Sequence, residues 1–270
     1  MAVVVLTSAR GAPGVTTSAL AMAMLWPRPV VLVEADVAGS SSILAGYLRG
    51  SVPPDRGLVS LAVAHRRGVL AEQFYEQTVN LIEDRVRLVP GLVNAQQAAS
   101  MDRLWSPLSM VLSGLERAGT DVIVDAGRLG MVHGPQPLIR SADAVLLVTR
   151  TTLPAVSSAR ARVESLRTEL VDFGQGDDTL AVLLVGEGQP YRSREIHSAL
   201  RTPVLAAMTW DQAAAESLSH GAAYGRRFAA APLFRGTRVA IGAVHELIDR
   251  HRTRLAPASG EQLMQEPTYG

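Results

Sequence analysis

Cysteine is absent from the 270 residues, and so is lysine: every one of the 26 residues counted as Lys or Arg is Arg. Without cysteine there can be no disulfide, thiolate metal site or thiol nucleophile, and the redox compartment leaves no mark on the composition. Without lysine there is no Schiff-base chemistry, no lysine general base and no lysine clamp for a phosphate. A coding preference for Arg accounts for the replacement as composition, and the chemical exclusions hold whatever its cause. An excess of charge of one sign is missing too. The net charge is +1 and Arg alternates with acidic residues, so the chain lacks the basic face or block of a dedicated nucleic-acid binder. No apolar run approaches the roughly 20 residues that cross a bilayer. Met1–Leu6 is apolar but has no basic lead, and Arg10-Gly11 interrupts it too early for a signal peptide. A cytoplasmic protein is expected. At 47% hydrophobic and 19% charged, the chain can bury a full core.

Short apolar runs recur at Val3–Leu6, Val30–Val33, Val86–Val89, Val122–Val124, Ala144–Val148 and Leu180–Val185, each bounded by Gly, Pro, Asp or Thr. They are continuous rather than alternating, the pattern of a parallel sheet covered on both faces. Helix-length segments lie between them. Thr17–Leu25 is rich in Ala, Met and Leu and ends before Pro27. Gln96–Ala118 carries Leu104, Leu108, Val111, Leu112 and Leu115 on one stripe, and Pro154–Phe173 turns Val156, Val163, Leu166 and Leu170 inward. Thr237–Leu255 repeats the pattern with Val244, Leu247 and Ile248. Strands alternating with helices predict an α/β fold with a doubly wound, mostly parallel sheet flanked by helices. There is no internal repeat and no linker, so residues 1–255 are expected to form one domain. Residues 256–270, with Pro, Ser, Gly and Gln, read as a disordered tail.

The first strand runs into Thr7-Ser8-Ala9-Arg10-Gly11-Ala12-Pro13-Gly14-Val15-Thr16-Thr17 before a helix. A small-residue turn at that place aims successive backbone N–H groups at a helix N-terminus and makes an anion nest. The phosphate-loop pattern G-x-x-x-x-G-K-[ST] requires Lys directly before the hydroxyl residue. Here Val15 holds that position, and Ala9 replaces the opening Gly. On the loop alone, a phosphate site and a plain strand–helix turn are equally good readings.

The order of motifs along the rest of the chain resembles the MinD/ParA family of deviant-Walker P-loop ATPases (SIMIBI class), especially its TadZ/CpaE-like and actinobacterial MinD-like branch. The family loop K-G-G-x-G-K-[ST]-T corresponds to Arg10-Gly11-Ala12-Pro13-Gly14-Val15-Thr16-Thr17. Its D-x-D corresponds to Glu34-Ala35-Asp36, and its Walker B strand to Asp121–Gly127 ending on Asp125. The strand "A-D-x-V-L-L-V-T" corresponds to Ala142–Thr149, the "L-P-G" segment to Leu88-Val89-Pro90-Gly91, and the late "D-x-x-A-A-E" to Asp211–Glu216. The likeness spans residues 2–250. It implies ATP or ADP held by residues 11–17 (Gly11, Ala12, Pro13, Gly14, Val15, Thr16 and Thr17). Mg²⁺ would lie near Thr16, Asp125 and Glu34, with Asp36 positioning the attacking water. It also implies a homodimer in which Arg10 reaches the partner's nucleotide, where the family uses Lys.

Two departures matter. Val15 offers no charge, and the family's adenine-reading Asn has no counterpart in Leu184-Val185-Gly186-Glu187-Gly188. Removing a fixed cation from phosphoryl transfer costs about 10²–10⁴ or more in rate. The expectation is a degenerate Walker A and a pseudo-ATPase: a dimerising scaffold or spatial regulator that binds a protein partner in a secretion, pilus or partition machine. The alternatives are a slow ATPase switch using Arg10 in place of the Lys, and a DNA-segregation ATPase. DNA contact through Arg66-Arg67 or Arg226-Arg227 is not the expectation, because such pairs are usually solvated faces. Residues 256–270 hold Glu261 and Glu266 and no basic residue, so the basic amphipathic membrane helix that ends MinD proteins is not expected there. The six His residues (65, 133, 197, 220, 245 and 251) have no metal-ligand spacing, and Ser40-Ser41-Ser42 has neither a nucleophile-elbow frame nor a partner His.

Overall fold

The computed structural model describes residues 2–11, 14–39, 41–52, 55–173, 175–222 and 228–255. The apolar runs become strands β1 (Val3–Ser8), β2 (Val30–Glu34), β4 (Val86–Val89), β5 (Asp121–Arg128), β6 (Ala144–Arg150) and β7 (Leu180–Val185). Two more, β3 (Val79–Ile82) and β8 (Val204–Met208), complete an eight-stranded sheet of order β3-β4-β2-β5-β1-β6-β7-β8. All neighbours are parallel except the edge pair β3–β4. The doubly wound α/β expectation is met.

Successive residues of each strand face opposite sides, so one continuous apolar run serves two cores. Val4 and Leu6 of β1 pack with α1 (Val15–Leu25), α8 (Gln212–His220) and α9 (Pro232–Leu255). Val3 and Val5 face the other side. There they meet α2 (Leu58–Arg66), α3 (Leu70–Gln73), α4 (Trp105–Gly114), α5 (Gln136–Arg140), α6 (Leu153–Asp172) and α7 (Ser193–Leu200). Each such fully buried aliphatic side chain stabilises by about 1.5–3 kcal/mol.

One helical expectation needs correction. Residues 96–118 do not form a single helix: a 3₁₀ segment Ala95–Met101 is followed by α4 and by a second 3₁₀ turn, Leu115–Ala118. Pro107 is the reason. Within a continuous helix its ring would clash with the carbonyl four residues back, but it fits the first turn of a helix that restarts at Trp105. Asn94 and Gln97 cap the start of the first segment with reciprocal side-chain bonds. The stripe survives the break, with Leu104, Leu108, Leu112 and Leu115 all buried. The late helix begins at Pro232 rather than Thr237, while the tail from residue 256 lies outside the described residues.

Strand order reverses beside β1. The chain crosses from β1 to β2 on one side of it and adds β6, β7 and β8 on the other. Ligand crevices in open α/β sheets form at such points, at the C-terminal strand ends. The loop after β1, the end of β2 and the end of β5 all lie there, because Leu6 and Glu34 are both in register with Asp125.

Candidate functional site: the cleft at the end of β1

Gly14 caps the N-terminus of α1 with φ +99°, a left-handed conformation that a side chain would strain. Among the described residues no side chain caps α1 and none accepts from its first amides, which lie beside the helix dipole. Ala12 and Pro13 lie outside the described residues. Gly11, Gly14, Val15, Thr16 and Thr17 line a cleft of about 350 Å³ together with Asp36, Gly127 and Arg128. The cleft continues to Val185, Met208, Trp210 and Leu233, a mostly apolar far end that also holds Thr209 and Asp211. Val15 is only 6% exposed and joins the core under α1. The position that the phosphate-loop pattern reserves for Lys therefore carries a packed, methyl-bearing side chain.

Three carboxylates meet near this cleft, and their partners differ. Asp125, buried at the end of β5, accepts from the Thr16 hydroxyl at 2.5 Å and from the Gly127 amide at 3.0 Å. Burial pushes its carboxyl up to about 6; the Thr16 and Gly127 bonds pull down, and the charge of Asp36 adds to the rise. Asp36 lies against Gly127, where a Cβ would sit 2.2 Å from the Asp36 carboxyl carbon, and Gly127 has φ +59°. Only glycine lets that carboxylate approach the end of β5 so closely. Its Oδ1 also accepts from the Ala38 amide at 2.9 Å.

Glu34 is turned elsewhere. Its Oε2 accepts from the Ser41 hydroxyl at 2.6 Å and the Gly91 amide at 3.2 Å. Burial raises its pKa to about 7, partly offset by those two bonds and reinforced by Asp125. Thr16 and Asp36 thus line the cleft, with Asp125 bonded to Thr16, whereas the carboxylate of Glu34 bonds Ser41 and Gly91 and is not among the lining. Ser41 serves this turn, accepting from the Leu44 amide at 3.0 Å; Ser40 lies outside the described residues.

The donor set fits a polyphosphate with Mg²⁺: open amides at a helix N-terminus, one hydroxyl and a neighbouring carboxylate. The apolar far end fits a base. Where an adenine-reading Asn was absent from the sequence, the Gly186 amide donates to the Met208 carbonyl and its carbonyl accepts from Thr151, so that stretch joins β7 to β8. Arg10 is exposed at the outer rim. The sequence reading missed Arg128, which lines the cleft, because only the bend at Gly127 brings it there. It also missed the stacking of Arg150 on Trp210, with 3.8 Å from guanidinium carbon to ring centre at the mouth of the cleft.

Away from the cleft, Arg66 and Arg67 are exposed at the end of α2, and Arg226 and Arg227 lie outside the described residues. Among the described residues no cluster of His and carboxylates could hold a metal, and no helix is long and apolar enough to cross a membrane.

No family model matches the chain, and no curated protein matches its sequence. Solved structures do match its fold. The septum site-determining protein MinD from Pyrococcus horikoshii OT3, complexed with Mg-ADP, aligns with a TM-score of 0.68 at 16% identity, over 93% of this chain and 98% of that one. A ParA family ATPase from Chlorobium tepidum TLS aligns at 0.64 and 14%, over 93% and 98%. A chain of the MinC:MinD cell division protein complex of Aquifex aeolicus aligns at 0.57 and 17%, over the whole of both chains. At these identities the likeness establishes the fold, which is that of the MinD/ParA-type P-loop NTPases.

Proposed function

We propose that this chain is a MinD/ParA-like protein, of the TadZ/CpaE-like kind, whose nucleotide site is degenerate. In this reading it works in the cytoplasm as a dimerising scaffold or spatial regulator of a secretion, pilus or partition assembly. One observation carries the reading: a cleft at the start of α1 lined by Thr16 and Asp36, with Asp125 bonded to Thr16, and a buried Val15 where the phosphate-loop pattern has Lys. The amides of residues 14–17 would hold phosphate oxygens. Thr16 and Asp125 would hold Mg²⁺, which when bound neutralises charge on the phosphates, and Asp36 would orient a water. The solved structure with Mg-ADP and the MinC-bound MinD lend support to a nucleotide ligand and a protein partner respectively.

A slow ATPase switch is the second reading, favoured by the closeness of Asp36 to Gly127 and Asp125 and by Arg10 at the rim. There Arg10 would contact phosphate across a homodimer. Calorimetric titration with Mg·ATP separates the two: absence of heat at submillimolar nucleotide leaves the scaffold alone. Turnover that Asp36→Ala abolishes establishes the switch. Val15→Lys is expected to raise both affinity and hydrolysis if the remaining cleft is intact, and no gain from it sinks the idea that the lesion is confined to the clamp.

A further inference from the structure

Beside the cleft, on the outer side of the loop after β1, lies a second cavity of about 440 Å³ lined by Arg10, Arg128, Arg162, Gly130 and Ser158. Three guanidiniums from three separate elements converge there: the loop, the end of β5 and the middle of α6. Among the described residues none of the three has a carboxylate within ion-pair distance. Among the described residues Arg128 Nη2 donates to the Met131 sulfur, at 2.8 Å. Like charges brought together without counter-charge repel, and the arrangement is relieved by a multiply charged oxyanion, which guanidinium forks bind well.

The backbone is shaped to permit the convergence. Gly130 has φ +74°, and a Cβ there would lie 2.9 Å from both terminal nitrogens of Arg162. Three residues earlier Gly127 admits the Asp36 carboxylate in the same way. Residues 127–130 are therefore flanked by a carboxylate at one end and a guanidinium at the other, with Arg128 between. Among the described residues Arg128 alone lines both this cavity and the cleft of the phosphate loop.

We propose that Arg128, backed by Arg10 and Arg162, is the cation for the terminal phosphate of a triphosphate seated on the loop, supplying the charge that Val15 does not. The inference rests on the nucleotide reading above and names the residue that makes it selective for triphosphate over diphosphate. It does not require hydrolysis.

Binding of Mg·ATP, Mg·ADP and inorganic triphosphate to the full chain, followed by calorimetry and by thermal shift, tests it. Wild type should bind ATP about tenfold or more tighter than ADP, the scale of one charge-assisted contact. Arg128→Gln should bring ATP down to the ADP level and abolish triphosphate binding while leaving ADP within about twofold. Arg194→Gln, an exposed charge on α7, should change none of these. If wild type binds ATP and Arg128→Gln binds it equally well, the inference is wrong while the nucleotide reading stands. If wild type binds triphosphate but not ATP, and Arg128→Gln abolishes that, the arginine site stands and the nucleotide reading falls. Binding of neither ligand by wild type overturns both.

Discussion

Glu34 and Val15 show how far a residue's meaning depends on where its side chain goes. In the sequence Glu34 is a lengthened Asp at the end of a strand, placed with the Mg²⁺ candidates. In the structure the extra methylene carries its carboxylate to Ser41 and Gly91, under almost complete burial. Its folded pKa of about 7 lies above the ordinary 4.5. The folded state therefore holds this proton more tightly than the unfolded chain does. The resulting stability is fully present below pH 4.5 and is lost as pH rises through about 7. Its size is on the order of 3 kcal/mol. Asp125 adds the same sign in a narrower window, between 3.8 and about 6. Urea midpoints measured from pH 5 to 8 should fall in wild type and stay much flatter in Glu34→Gln. An unchanged slope in that variant would remove Glu34 as the cause. Val15 reads from sequence as a missing charge, and the structure adds that it is a core side chain.

Among the elements, the short π-helical turn Ile43–Tyr47 is the least expected from sequence, because its position depends on a contact of Gly46 with Ser219, 173 residues away. A Cβ on Gly46 would lie 1.9 Å from the Ser219 carbonyl oxygen near the end of α8. No side chain fits there without separating the turn from the helix. Gly46→Ala is expected to destabilise by about 2 kcal/mol or more, in the range of overpacked backbone contacts. Hydrogen exchange should quicken in residues 41–50 and 212–220 together. Exchange confined to one of them would mean that the two are not docked as a unit. The break at Pro107 shows the opposite case. Its cause lies in the sequence itself, since proline inside the stripe already forbids an unbroken helix, but amphipathic spacing masks the break because both pieces keep their apolar residues in phase. Strand β3 escaped notice because it is four residues long, at the antiparallel edge, with only Val79 buried.

The molecule as a whole is tied at the opposite end of the sheet from the cleft by Asp121. Its carboxylate accepts from the Ala2 amide and from the Trp26 indole, each at 2.8 Å, and lies 3.7 Å from Arg28. One side chain thus joins the start of β1, the exit of α1 and the start of β5. Trp26 in turn meets His245 of α9, with ring centres 4.8 Å apart. Asp121→Ala leaves two buried N–H groups without an acceptor, at about 1–3 kcal/mol each. A loss of about 3 kcal/mol in chemical denaturation is expected, with the Trp26 fluorescence altered in the native baseline. A loss under about 0.5 kcal/mol, the size of an ordinary surface substitution, would show that water takes over the bonding.

The sequence by itself determined the class of fold and the location of the cleft. Continuous apolar runs can be satisfied only by a sheet covered on both faces, and a Gly-rich turn between the first strand and first helix has one place to go in such a sheet. It also determined what the loop lacks, because no later folding step can supply a lysine to a chain that contains none. Tertiary structure decided everything that depends on direction. It bonded Glu34 to Ser41 and Gly91, packed Val15 into the core, and brought Arg128 into one cavity with Arg10 and Arg162. Residue spacing fixes which face of an element a side chain leaves from. Where its charged end arrives depends on bends such as those at Gly127 and Gly130, which form only when distant elements close against them.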